Sequence, residues 1–395
     1  MKRSTLILAA ILLVGGALRL WGAVHAPVEL IERDEFIPAA MTISSQHLPL
    51  RVAQHGAVPV YLIKASSLIF DTSLIGLRLL SVIAGTATIL LLYLTAARWW
   101  GSLAGLVAAG LLAIDRYHVA VSGRAIDLPY DLFFVTLAIF AFSRFLYSID
   151  ERGTQAARPG YWLYGAAVAS GLGFLCKELT AIMLPVFLVS FVFLRQTKWL
   201  TRREPWIALG LFVLVIGPDL YSNLTVTLAE RRELLELHEQ AARQRGVDLS
   251  GTVYVENGLY MSYGDQLSRF RSVGFNSTPF YFYFGGLLDS VGLVLDNGFD
   301  EFPFMHPVMG GLLWIGVAYS LSRRSKDKLT VFSLTMFFVA FLPFALVELG
   351  APRVRFPSDP AALWYWVDRT MLPAMLLTGH AASLLVRRSQ HRPRN

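Results

Sequence analysis

The stretch GLRLLSVIAGTATILLLYLTAARWWGSLAGLVAAGLLA (76–113) decides what kind of protein this is. Two apolar windows, 77–97 and 101–118, meet there at Arg98 with almost nothing polar inside them. A hydrocarbon core about 30 Å thick is crossed by about 20 apolar residues of helix, and each window comes close to that length. Working outward, similar windows fall at 4–23, 129–147, 160–176, 178–195, 206–222, 306–322, 329–349 and 367–386. Of the 395 residues, 55% are hydrophobic and 16% charged, and the mean hydropathy is +0.51. These values exclude an ordinary soluble domain and predict an all-α polytopic membrane protein with about ten spans.

The net charge of +7 would suggest nucleic acid as the partner of a soluble protein. Here the basic residues form short clusters beside apolar runs, at Lys2-Arg3, Arg195 to Arg203, Arg323 to Lys328 and Arg387 to Arg394. That is the positive-inside pattern, and it reads as topology. Alternating from a cytoplasmic N-terminus puts every cluster inside and both termini in the cytoplasm. Segments 24–76, 115–128 and 223–305 then lie outside. The first apolar segment could pass for a signal peptide cut near Ala23-Val24-His25-Ala26. Its near-spanning length, and the membrane protein that follows, favour an uncleaved first helix. Cys176 is the single cysteine, so no intrachain disulfide forms, and no Cys/His spacing of the metal-binding kind occurs.

The expected organisation is a transmembrane module over 1–222 with its first outer loop at 24–76, an outer region over 223–305, and C-terminal spans with a basic tail over 306–395. Within the outer segments, AVPVYLIKASSLIF (57–70) is apolar, short and interrupted by Lys64, which suits an interfacial helix. LAERRELLELHEQAARQRG (228–246) reads as a charged amphipathic helix, and TPFYFYFGGLLDSVGLVL (278–295) as a half-inserted aromatic stretch.

Against this apolar background a few ionisable residues stand out, because a membrane protein carries such groups at depth mainly for function. IERDEF (31–36) sets Asp34 beside Glu35 just past the first span. Neighbours on a helix point about 100° apart, so one faces inward while the other caps a helix or meets Arg33. The bland alternative is simple helix termination, followed by an N-terminal carboxylate on a helix over 34–46. In SGRAIDLPYDLFF (122–134), Asp127 stands just before Pro129, with Asp131 one turn further in. Asp127 there is either functional or closes its loop on Arg124. Lys177-Glu178 interrupts two apolar runs in FLCKELTAIMLP (174–185). The lysine either snorkels or meets a phosphate as a compact point charge. YWVDRTMLP (365–373) brings Asp368-Arg369 to the mouth of the last span, and the arginine is a headgroup anchor or a phosphate ligand. Under the charge-derived topology Asp34, Glu35, Asp127, Lys177 and Arg369 share the outer face. Acids and bases gathered there suit a lipid-linked phosphate whose tail stays in the bilayer. No GxxxxGK[ST] or other nucleotide signature occurs, and no nucleic-acid partner is indicated.

With these residues in view, the sequence resembles the integral-membrane glycosyltransferases of the GT-C fold, over about residues 5–195 and again at 365–386. Within that fold it is most similar to the group of protein mannosyltransferases, lipid A aminoarabinose transferases and rhizobial galacturonosyltransferase-like proteins. Arg78, Ser81, Gly85 and Tyr93 in 76–113 are placed as the family places them. Asp34-Glu35 matches an Asp-Glu pair in the family's first outer loop, and Arg124 with Asp127 matches the Arg and carboxylate of its second. Lys177-Glu178 matches a turn between two spans, and YWVDRTMLP is similar to DRYLLP. The chain departs from the family at His55-Gly56-Ala57-Val58-Pro59, where many members have His-Pro-Pro or Lys-Pro-Pro. AIDRYHV (113–119) adds an unmatched Asp115-Arg116.

The resemblance implies an inner-membrane enzyme with its site on the extracytoplasmic face. It would move a sugar, with inversion, from a polyprenyl-phosphate donor to a lipid, glycan or protein acceptor. Asp34 fits the base, Glu35 its orienting or acceptor-binding neighbour, and Asp127 a second carboxylate. Lys177, Arg369, Arg78 and Arg124 are the candidates to hold the departing phosphate. That leaving group is already a stable anion, so the chemistry requires no cofactor, and the sequence indicates no divalent metal. The rival readings are a transporter or flippase of lipid-linked intermediates and a non-catalytic assembly subunit. Transporters gather their charges near the midplane on broken helices, often in repeated halves. No repeated half occurs here.

Overall fold

A computed structural model describes residues 3–28, 32–45, 48–52, 55–149, 160–225, 270–273, 307–323, 327–349 and 360–390. The amphipathic helix expected over 228–246 and the half-inserted stretch over 278–295 lie outside the described residues.

Each apolar window is helical over most of its length. The order is α1 (Arg3–His25), α2 (Ile37–Thr42), α3 (Val58–Ile69), α4 (Leu74–Trp100), α5 (Ser102–Ile114), α6 (Arg116–Ser122), α7 (Leu128–Ser148), α8 (Gly160–Phe174), α9 (Met183–Phe193), α10 (Arg203–Thr225), α11 (Pro307–Ser322), α12 (Lys328–Leu346) and α13 (Pro360–Gln390). A π-helical turn, Glu32–Phe36, precedes α2, and a 3₁₀ turn, Glu178–Ile182, precedes α9. Among the described residues α1, α4, α7 and α10 are each long and apolar enough to cross a membrane, as are α5 and α6 taken as one bent span. Shorter apolar helices complete the bundle of a multi-pass membrane protein.

Two expectations are corrected. The helix expected over 34–46 is a π turn followed by α2, which ends at Thr42. The window 101–118 is not one straight helix but breaks at Asp115 with a 63° bend. The cause is local chemistry. Asp115 leaves the helical region and accepts the His118 N–H at 2.8 Å, so the residue with no counterpart in the family's motif is the N-cap of α6. The interfacial helix expected over 57–70 is α3, which opens on Pro59 and buries Val60 and Ile63 toward the bundle.

The core between the helices is built from aromatic and small residues. Phe142 stacks on Phe187 at 4.4 Å and meets Phe332 at 4.9 Å, joining α7, α9 and α12. Ala104, Ala108 and Ala109 on α5 are buried where α13 crosses closely. At the Trp100 end of the bundle, Asp327 accepts the Trp100 indole N–H at 2.9 Å, and His380 stacks on the same ring at 4.3 Å. This fastens α4, α12 and α13. Two short ribbons accompany the helices, β1 (Arg51–Val52) with β2 (His55–Gly56), and β3 (Phe270–Val273) with β4 (Val347–Leu349).

Candidate active site

The first loop is set by Arg78, which α4 carries fully buried. Its Nε and Nη2 donate to the two Glu32 oxygens at 2.7 and 2.5 Å. Its Nη1 donates to the carbonyls of Ala23 and Ala26, both at 2.9 Å, and Nη2 also to Pro27 at 3.2 Å. A guanidinium has five N–H groups, and the protein accepts from every nitrogen. Arg78 therefore caps the end of α1 and anchors the π turn, a different task from the phosphate contact expected of it. Glu32 also accepts the Ala125 N–H at 2.7 Å, which ties the second loop to the first.

From that anchored turn, Glu35 reaches inward. Both carboxylate oxygens are buried although the residue as a whole is partly exposed. Burial pushes its carboxyl up to about 8; the neighbouring Asp127 and Glu178 act in the same direction and Lys177 in the opposite one. Asp34 lies on the same turn, and its side chain is outside the described residues.

Asp127 stands at the first position before α7, two residues ahead of Pro129, and is buried. Its carboxylate stands 3.7 Å from the Lys177 ammonium. That partner comes from the connection that follows α8, so the ion pair joins two parts of the bundle. Burial also raises Asp127, to about 6, with Lys177 opposing it and Asp131 adding to it. The two acids differ in degree: Glu35 is pushed further above the ordinary carboxylate range than Asp127, which has the Lys177 ammonium beside it. Environments that separate two carboxyls in this way are how one site obtains both an acceptor and a donor of protons.

Lys177 precedes the 3₁₀ turn, with its own N–H donated to the Gly173 carbonyl at 2.7 Å. One residue on, Glu178 accepts from Arg51 Nη2 at 2.8 Å. Arg51 Nη1 also donates to both Asp219 oxygens, at 2.9 and 3.0 Å. The β1–β2 ribbon can carry Arg51 there because Gly56 lies directly on the turn; a Cβ at that position would sit 2.4 Å from the Leu175 carbonyl oxygen. The His-Gly departure from the family's His-Pro-Pro is therefore a close approach of two backbones. The Thr180 hydroxyl donates to Asp131 and closes the cluster from below.

The structure thus brings together Glu35, Asp127 and Lys177 from the expected set, and adds Glu178, Arg51 and Asp219. Sequence reasoning missed Arg51 and Asp219. Asp219, beside Pro218 near the end of an apolar window, was the available signal. Arg124 stands in the turn between α6 and α7, its N–H donated to Val121 O at 3.2 Å. Arg369 lies on α13, with its side chain outside the described residues. Among the described residues no three His, Cys, Asp or Glu side chains converge as metal ligands.

Residues 54–221 match the model of a family described as dolichyl-phosphate-mannose-protein mannosyltransferase. An undecaprenyl phosphate-alpha-4-amino-4-deoxy-L-arabinose arabinosyl transferase of Pseudomonas aeruginosa (strain LESB58) is 32% identical over 158 residues, 40% of this chain and 28% of the relative. An uncharacterized protein of Aquifex aeolicus is 25% identical over 296 residues, 74% of this chain and 48% of that one. Among solved structures, ArnT from Cupriavidus metallidurans bound to undecaprenyl phosphate superposes with a TM-score of 0.60 at 15% identity, over 98% of this chain and 61% of that one. The Archaeoglobus fulgidus oligosaccharyltransferase AglB, in complex with an inhibitory peptide and a dolichol-phosphate, gives 0.56 at 15%, over 98% and 51%. The aligned region spans less than a third of the arabinosyl transferase's length. The fold is the GT-C fold of membrane glycosyltransferases.

Proposed function

We propose that this chain is an inverting glycosyltransferase of the membrane, moving a sugar from a polyprenyl-phosphate donor to an acceptor on the extracytoplasmic side. One observation carries the reading: two buried carboxyls, Asp127 and Glu35, meet the Lys177 ammonium at one end of a GT-C bundle, with Asp127 3.7 Å from that ammonium. Undecaprenyl and dolichyl phosphates, the carriers in the two similar structures, present this chemistry, an anionic head on a lipid tail.

In the reaction a carboxylate takes the acceptor's hydroxyl proton, and the oxygen attacks the anomeric carbon from the face opposite the phosphate. The bond from that carbon to the phosphate oxygen breaks, and polyprenyl phosphate departs as the anion. Asp34 is the base, on the turn that Arg78 and Glu32 hold. Lys177 and Arg369 receive the phosphate, since fixed charges aimed where negative charge develops lower the barrier most. The deciding experiment offers membranes a panel of radiolabelled polyprenyl-phosphate sugars and follows which label moves and onto what. Absence of transfer from every donor would refute the reading.

Lys177 carries a prediction of its own. If it grips the donor phosphate, Lys177→Met loses one charge-assisted contact, about 1.5–3 kcal/mol. The apparent KM for the donor then rises about ten- to a hundred-fold. Lys177→Arg recovers part of it, because a longer planar guanidinium reaches the phosphate in a different geometry. An unchanged KM and kcat in Lys177→Met would return the residue to the lipid-anchoring class.

Sidedness has a separate check. Cys176 is buried, so background labelling of the native thiol is low. A membrane-impermeant maleimide should label a cysteine introduced at Ser250 in intact cells, and one at Ser325 only after lysis. The reverse pattern would put the site on the cytoplasmic face.

A further inference from the structure

We infer that Arg19 and His118 are a positioning pair that fixes Asp127 against Lys177, an inference that rests on the site reading above. Arg19 belongs to α1, whose other polar-free faces look outward, yet its guanidinium turns inward and is fully buried. Nη1 donates to the carbonyls of Gly15 at 2.7 Å and Ala113 at 3.1 Å. Nη2 donates to the Leu112 carbonyl at 3.0 Å and lies 2.6 Å from His118 Nδ1. A charged group buried within a spanning helix is costly and is retained for a reason. Here the reason lies in the break between α5 and α6. Leu112 and Ala113 are in the last turn of α5, where carbonyls lack helical partners. His118 is in the first turn of α6, its N–H held by the Asp115 cap. One guanidinium therefore grips both sides of the 63° bend.

The tautomer follows from the geometry. A guanidinium has only donors, so His118 Nδ1 accepts and the ring proton sits on Nε2. The Ser122 hydroxyl, 3.3 Å from the same Nδ1, lies on the next turn of α6.

What α6 delivers is the second loop. Gly123, directly after it, is pressed onto the end of α1; a Cβ there would lie 2.9 Å from the Ala23 nitrogen and from the Gly22 carbonyl carbon. Ala125 is bound to Glu32, and Asp127 follows two residues later, facing Lys177. With so short a tether, a rotation of α6 at the break moves Asp127 relative to Lys177. Neither Arg19 nor His118 touches the site, so their action is through placement alone.

The test reads that placement without needing turnover. In the full-length protein in detergent, dicyclohexylcarbodiimide should couple the Asp127 carboxylate to the Lys177 amine, and mass spectrometry should detect the isopeptide in the wild type. Arg19→Met and His118→Leu should lower its yield by about tenfold in protein that remains folded. His118→Asn should restore it, because the Asn Oδ1 stands where Nδ1 accepts. An unchanged yield in Arg19→Met or His118→Leu would overturn the inference, as would a loss in His118→Asn equal to that in His118→Leu. Should the variants fail to fold, the ¹⁵N spectrum of labelled histidine in the wild type decides. A bare Nδ1 and a protonated Nε2 at His118 are expected, and a protonated Nδ1 would refute the pair. Transfer from no polyprenyl-phosphate sugar would remove the functional reading while leaving the coupling result to stand on its own.

Discussion

Asp34→Asn is expected to lower turnover by about 10²–10⁴ while the protein still folds and inserts. Asn matches Asp in shape and keeps an acceptor oxygen, but it cannot take a proton from an acceptor hydroxyl. The turn that carries residue 34 is held on both sides, by the Glu32–Arg78 ion pair before it and by the fully buried Phe36 after it. Those anchors hold the turn, so the loss should appear in kcat and leave yield and the apparent KM for the donor near the wild-type values. Label transfer with the donor found in the panel measures it. If Asp34→Asn keeps near-normal turnover, Asp34 is structural and the base is Asp127, whose carboxylate stands beside the Lys177 ammonium.

Arg78→Met should instead act on the fold. The substitution leaves the Glu32 carboxylate buried without its cation and strips donors from the carbonyls of Ala23, Ala26 and Pro27. Removing one partner of a buried ion pair costs about 3–5 kcal/mol. That is a large part of the 5–15 kcal/mol by which typical domains are stable. The expected result is a marked loss of detergent-stable protein and a lower Tm, partly recovered in Glu32→Gln/Arg78→Met, which removes the stranded charge. A phosphate ligand would behave differently, with normal folding and weakened binding of undecaprenyl phosphate. Finding that second pattern would return Arg78 to the set of phosphate contacts.

Glu35 and Arg51 mark how far the site could be read from sequence. The Asp34-Glu35 pair, Asp127 and Lys177-Glu178 were legible because each is a charge in or beside apolar sequence, where such groups are rare. Their mutual placement was not. Nothing in the spacing around Asp127 announces its ion pair with Lys177, which comes from the connection after α8. Arg78 lies in the stretch that resembles the family, where a phosphate contact is the expected role; in the fold, carbonyls at the end of α1 and Glu32 take up its donors. Arg51 and Asp219 do not stand out in the sequence, because each looks like an ordinary loop or helix-end charge on its own.

The membrane class, the order of the helices and the short apolar helix α3 are legible in the sequence, because each depends on a local quantity. Apolar length is set against a slab about 30 Å thick, and helix starts against Pro and short polar caps. The tertiary structure alone decided which charges meet. Arg51 and Asp219 stand 168 residues apart in the chain and 2.9 Å apart in space, and no window of sequence contains that distance. It also decided the states of the acids. A carboxyl's affinity for its proton depends on burial and on the charges packed around it, and that packing exists only once α7, the 177–178 turn and the first loop have come together.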